Sequence, residues 1–420
     1  MYTSIVGSFL NSIHSLRFYV NSVDPIIMKE DELLDKLDND SILAMLMFLA
    51  KELKIKNMSA DEILFPEDFP EDLVEEVKRG LKYYSDIVDI SMDGKTGRYR
   101  SLPKTVKESY IKIEASTKQG DILYSGSLML LVTYFESTIA KILKTDLQKH
   151  PKRLSLDTKT VSYKMLEMSD SIEDVRNLLI EDEVMTMMYK SVSDWIEYFR
   201  KNIKLKLVYT TNVLPELIEI IARRNIIVHN EGIVNNQYMN IVSEDYRTKV
   251  KIGDFISVDK QYVLSAIDLV ESICMSIILE IWISEGDKDN KEIENVLAII
   301  FDEYLIFEKW ESAKILYEVC LESNKLQLAD ELICKINRWQ CYKWLDRFNE
   351  IEDEVKDLDI TACQPRYKLA VLALLDKYED FFAYYDEQDD LKENELKEWP
   401  LFREVRNSEI YIQRYSVSNG

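Results

Sequence analysis

The chain has 420 residues, enough for roughly two or three domains. With 46% hydrophobic and 31% charged residues it has an ordinary globular balance, which excludes a disulfide-stapled mini-protein, and no run reaches the roughly 18 uninterrupted apolar residues of a membrane-spanning segment. Only 10 glycines and 8 prolines leave little material for tight hairpins or glycine-cradled phosphate loops, so helices should dominate and Rossmann or Walker-type folds are disfavoured.

The net charge of −23 is unevenly spread: −7 over residues 1–100, −4 over 101–290 and −12 over 291–420. Such a balance repels nucleic acid except where bases cluster. Two clusters stand out in the middle: KILKTDLQKHPKR (141–153) and RKNIKLK (200–206). Lys149, Lys152, Arg153, Arg200, Lys201 and Lys204 are the candidate polyanion contacts; the alternative is that both clusters are solvated helix ends. The five cysteines, Cys274, Cys320, Cys334, Cys341 and Cys363, form no C-x-x-C pair and read as reduced, mostly buried thiols of a cytoplasmic protein. The first residues, MYTSIVGSFLNSIHSL, lack the basic start of a signal peptide, so no export is expected.

In chain order, helices are expected at 42–53 and 73–88, with a boundary in the Gly-containing stretch 91–103. This sets off an N-terminal helical domain, 1–104. A second unit, 105–286, holds helices near 122–143, 170–190, 191–205, 213–230 and 260–283, with a small β-hairpin at 249–258 around Gly253-Asp254. Residues 290–420 read as helical hairpins in which Trp310, Trp339 and Tyr378 sit in turns and open new helices, at an average spacing close to a tetratricopeptide-type repeat. Such an array presents a surface to a protein or peptide partner; the alternative is an irregular helical support. The fold class is therefore all-α.

The helix VLPELIEIIARRNIIVHN (213–230) carries the one constellation with chemistry in it. At 100° per residue, Glu219 and Arg223 share a polar arc and form a solvent-side ion pair. Arg224 falls on the stripe of Val213, Leu217, Ile220 and Ile227, and Asn225 on that of Leu214, Ile218, Ile221 and Val228. An arginine and an amide interrupting apolar faces require either satisfied partners or a polar cleft. His229 follows Asn225 by four residues, so both can face one cleft, and Gly232 is placed to cap the helix. A lone histidine at a helix end serves either as a cap or as a proton carrier. Glu136 similarly interrupts the stripe of Met129, Val132, Ala140 and Leu143, where it either pairs with Arg224 or His229 or reaches the bundle edge beside Lys141.

Arg224-Asn225-Ile226-Ile227-Val228-His229 resembles the R-x4–6-H signature of HEPN-domain ribonucleases, and the trailing NEGIVNNQY is similar to sequences of that superfamily. The resemblance covers roughly residues 105–286. It implies a helical bundle that dimerises to bring two motifs together and cleaves RNA without metal or other cofactor. The ribose 2′-OH would attack the adjacent phosphate, leaving a 2′,3′-cyclic phosphate. It further implies that His229 moves the proton, Arg224 holds the phosphate oxygens and Asn225 orients His229 or donates to phosphate. Proteins of the superfamily often act as toxins or in abortive-infection antiphage defence. Arg224 and His229 lie about 140° apart on a straight helix, a physical reason to expect a homodimer. The competing reading is a non-catalytic, HEPN-like dimeric scaffold recruiting a partner through its repeats. A transcriptional regulator is disfavoured, because no helix-turn-helix with a basic recognition helix is apparent. No H-E-x-x-H, Gly-rich phosphate loop, metal-spaced Cys/His cluster or nucleophile elbow is present.

Overall fold

The computed structural model describes residues 2–32, 39–65, 71–91, 97–99, 103–116, 118–154, 160–286, 291–359, 364–388 and 393–416. The fold is all-α, with one small hairpin among the described residues. The helices run over Asn39–Ile55, Glu71–Asp86, Gln119–Lys149, Ile172–Met188, Val192–Tyr198, Leu214–Asn230 and Lys260–Glu285, each on an expected segment. The hairpin lies elsewhere than expected: Val88–Ile90 pairs antiparallel with Gly97–Tyr99, inside the stretch read as a domain boundary. At 249–258 there is instead a turn, with a single bridge between Phe255 and Ile233.

By contacts the chain divides into two units: Met1–His14, Leu131–Phe255 and Ser265–Gly420 make the first, and Ser15–Leu130 with Ile256–Leu264 the second. The motif helix and the C-terminal hairpins thus fall in one unit. In the second unit, Asn39–Ile55 packs on its neighbours through Ala44, Met47, Val106, Tyr110 and Ile113 on one side and Ala50, Ala60 and Leu81 on the other. Lys51 reaches Glu114 at 2.5 Å, and the Tyr99 hydroxyl donates to the Met47 carbonyl at 2.7 Å, fixing the hairpin on that helix. Gly97 is required there, since a Cβ would stand 2.7 Å from Lys51 Cγ. Asp24 accepts hydrogen bonds from Lys260 at 2.6 Å and from the Tyr124 hydroxyl.

In the first unit the core is built on Ile267, Val270, Ile273, Cys274, Ile277, Ile278 and Ile281 of one helix and on Phe135, Ile139 and Ile142 of another, all buried. Among the described residues, two runs are long and apolar enough to cross a membrane by length and composition, Lys104–Lys149 and Lys260–Glu285; 72% of the latter's apolar window is buried inside the protein, as in a core helix. Cys274, Cys320, Cys334 and Cys341 are free and buried, and Cys363 lies outside the described residues.

The C-terminal hairpins carry a repeat in a different register from the expected one. Trp310 and Tyr378 do open helices, but Trp339 lies inside Leu328–Trp344, buried in the core. The recurring unit is an acid in the left-handed conformation, then a base, then an aromatic residue: Glu308-Lys309-Trp310, Asp346-Arg347-Phe348 and Asp376-Lys377-Tyr378. The base's N–H closes the preceding helix in all three, Lys309 onto Tyr304, Arg347 onto Tyr342 and Lys377 onto Leu372, each at 2.9 Å. These are Schellman closures with Asp or Glu where glycine is usual, which hides them from a glycine-based reading.

Candidate functional site

The motif helix, Leu214–Asn230, starts with Pro215 in its first turn, where a missing N–H costs nothing, and with Glu216 near its positive end. It ends at Glu231 and Gly232, both with positive φ, and the Gly232 N–H closes onto the Ile226 carbonyl at 3.0 Å. Gly232 therefore takes the left-handed conformation as expected, one residue after the turn begins. The exit loop is clamped: Val234 N–H donates to Asp254 O at 2.8 Å and Gly253 N–H to Val234 O at 2.9 Å. The 249–258 segment serves this clamp instead of pairing with itself, because its strand-like residues find Ile233 and Val234 as partners.

Asn235 then caps a short helix, Asn236–Ile241, accepting the Tyr238 N–H at 2.9 Å. The Tyr238 hydroxyl donates to Glu219 at 2.8 Å, and Arg223 Nε donates to the same carboxylate oxygen at 2.8 Å. Glu219 is only 1% exposed, so the Glu219–Arg223 pair is buried and not on the solvent side. The short helix 236–241 covers that arc, which helical angles alone do not show. Burial, with the Glu219 charge behind it, pushes the Tyr238 phenol well above its ordinary pKa, so it stays a donor.

Arg224 faces differently. Its Nη2 lies 2.5 Å from Glu136 Oε1, an ion pair with both side chains partly exposed, while its Nε is buried without a hydrogen-bond partner. Of the two settings open to Glu136, the ion pair is therefore the one observed. Asn225 and His229 instead line a cavity of about 220 Å³ with Ala222, Ile226, Asn235, Gln237, Tyr238 and Ile241. Asn225 is half-buried and His229 and Gln237 are exposed. The motif thus opens on two faces: Asn225 and His229 share a pocket that Arg224 does not line.

Family models, curated proteins and solved structures contain no match to this chain.

The basic candidates are unequal. Lys149 donates to Glu285 at 2.5 Å and sits over the Tyr2 ring, and Arg153 pairs with the buried Asp146. Arg200 donates to the Thr211 hydroxyl, and Lys201 pairs with Glu197 at 2.9 Å. Lys152 and Lys204 are exposed without a carboxylate partner among the described residues, and Lys204 lines a crevice of about 210 Å³ with Lys206 and Lys325. The first cluster therefore works largely as internal neutralisation.

Asp146, His150 and Glu285 form a grouping that spacing along the chain does not reveal, with one ligand atom from each within 4.8 Å of the others. Burial raises the Glu285 carboxyl, but hydrogen bonds from Lys149 and Tyr2 outweigh it and hold the pKa below its ordinary value. At Asp146 burial wins over the Arg153 charge and pushes the pKa up. The grouping has the reach to hold a cation, and its carboxylates already meet Arg153, Lys149 and Tyr2.

Proposed function

We propose that this chain is a metal-independent endoribonuclease of the HEPN type, cleaving RNA by attack of the ribose 2′-OH with a cyclic phosphate product. The observation that carries the reading is the pair Asn225 and His229, set side by side on a pocket wall at a capped helix end and free of hydrogen-bond partners among the described residues. A structural histidine or amide at such a place would be expected to bond the helix terminus. Here Glu231, Gly232 and Asn230 already close it, which leaves His229 free to move a proton and Asn225 to donate to a phosphate oxygen.

Arg224 would supply the cation. Its ion pair with Glu136 is partly open to solvent, and such pairs contribute only about 0–1 kcal/mol, so a phosphate can compete for the guanidinium. Because Arg224 and His229 open on different faces, the catalytic set is completed by a second copy. Ile218 and Ile221, half-buried, and Val228, exposed, supply an apolar face for a homodimer beside Asn225. Of the six basic candidates, Lys152 and Lys204 remain available to the RNA backbone, and the C-terminal hairpins would engage a protein or peptide partner. A cytoplasmic role as a toxin or antiphage effector fits this reading by analogy alone.

The Arg224–Glu136 pair also favours a second reading, a non-catalytic dimeric scaffold in which that arginine is structural. His229→Ala separates the two: RNA cleavage disappears from a ribonuclease, while a scaffold keeps its dimer and its partner.

A further inference from the structure

A proton carrier and a phosphate-holding cation need no walled cavity beside them, yet Asn225 and His229 line one. Its aliphatic surface is Ala222, Ile226 and Ile241, with Tyr238 alongside. Its polar lining, besides the histidine, is three carboxamides, Asn225, Asn235 and Gln237. The Asn235 Oδ1 caps the next helix, whereas the Asn225 and Gln237 side chains have no hydrogen-bond partner among the described residues.

This combination selects a ligand chemistry. A phosphate is drawn to fixed cations, and the lining holds no lysine or arginine. An aliphatic chain would cover the carboxamides without offering them a hydrogen bond. A flat heterocycle satisfies both parts: its faces rest on aliphatic and aromatic carbon, and its edge meets amides that each donate and accept. The cavity, about 220 Å³, has room for one ring system and not for a folded oligonucleotide.

We propose that this pocket holds one unstacked nucleobase of single-stranded RNA, read along its edge by Gln237, and that it sets the neighbouring phosphate beside Asn225 and His229. This rests on the ribonuclease reading for the identity of the polymer. Gln237 lies on the helix after the motif, outside the R-x4–6-H signature, and is the specificity-determining residue.

The test uses the full chain labelled at isoleucine δ1 methyls and titrated with the 3′-monophosphates of adenosine, guanosine, cytidine and uridine, with ribose 5-phosphate as control. The expected result is a ring-current shift of the Ile226 and Ile241 methyls with at least one nucleotide and none with ribose 5-phosphate. Gln237→Ala should weaken that binding roughly tenfold or more and change the base found at cleavage sites. Because Gln237 is exposed, the variant should fold as wild type does. Still methyls with all four nucleotides, equal shifts with ribose 5-phosphate, or a Gln237→Ala protein that binds as wild type does would each overturn the proposal. Nucleotide binding by a protein that cuts no RNA would keep the pocket and remove the ribonuclease. RNA cut at the same positions by Gln237→Ala would keep the ribonuclease and remove the pocket.

Discussion

Arg224 Nη2 and Glu136 Oε1 stand 2.5 Å apart, so the arginine next to Asn225 is held by a carboxylate from another helix while Asn225 itself faces the His229 pocket. If Arg224 must release Glu136 to hold a phosphate, the carboxylate is a competitor of the substrate. Glu136→Gln should then lower the KM for RNA several-fold, the scale of a partly exposed ion pair of up to about 1 kcal/mol, with little change in kcat. Steady-state cleavage of a defined RNA by the variant checks this; unchanged kcat and KM would place Glu136 outside the site.

The wall of the pocket depends on Glu219. Tyr238→Phe removes one donor from that buried carboxylate and should destabilise the protein by about 1–3 kcal/mol, seen as a lower Tm. Glu219→Ala removes the carboxylate that Arg223 pairs with as well and should cost more, about 3–5 kcal/mol. Equal losses in the two variants would show that Arg223 finds another partner.

The helix positions and the divergence of Arg224 from His229 were legible in the sequence, because both follow from a 3.6-residue period acting within one element. What was not legible depends on chain brought from a distance. The Glu219–Arg223 pair reads as exposed until helix 236–241 is laid over it, and the 249–258 segment reads as a hairpin until Ile233 and Val234 take its hydrogen bonds. The true hairpin needs Gly97 to pass close to Lys51, a contact no local pattern encodes. In the repeats the signal is not the aromatic residue but the preceding acid in a left-handed cap, so aromatic spacing alone puts Trp339 in a turn when it lies inside a helix.

That re-registration has a measurable consequence. Trp339 is a fully enclosed side chain, whereas Trp310 is partly exposed at a helix start. Trp339→Ala should cost about 3–5 kcal/mol and Trp310→Ala distinctly less. Denaturant unfolding of the two variants checks the order; a reversed order would support the expected register.

Asp24 gives the second unit a pH dependence. Hydrogen bonds from Lys260 and then Tyr124 hold its carboxyl below the ordinary aspartate value, despite burial. A depressed folded-state pKa stabilises the fold above the unfolded value of about 3.9, and this is lost as pH falls through the folded value. Asp24→Asn should lower Tm at pH 7, by the equivalent of about 1–3 kcal/mol, and flatten the loss of Tm below about pH 4. Identical acid limbs in variant and wild type would show that other carboxylates set that limb.

RNA cleavage carried by His229 is read out in the chemistry of the new RNA ends. Purified wild-type and His229→Ala proteins are incubated with total RNA and with tRNA in the presence of EDTA. The expected result is cleavage by the wild type that survives EDTA, with 2′,3′-cyclic phosphate and 5′-hydroxyl ends, and no cleavage by the variant. Equal cutting by both proteins, or ends carrying a 5′-phosphate, would contradict it.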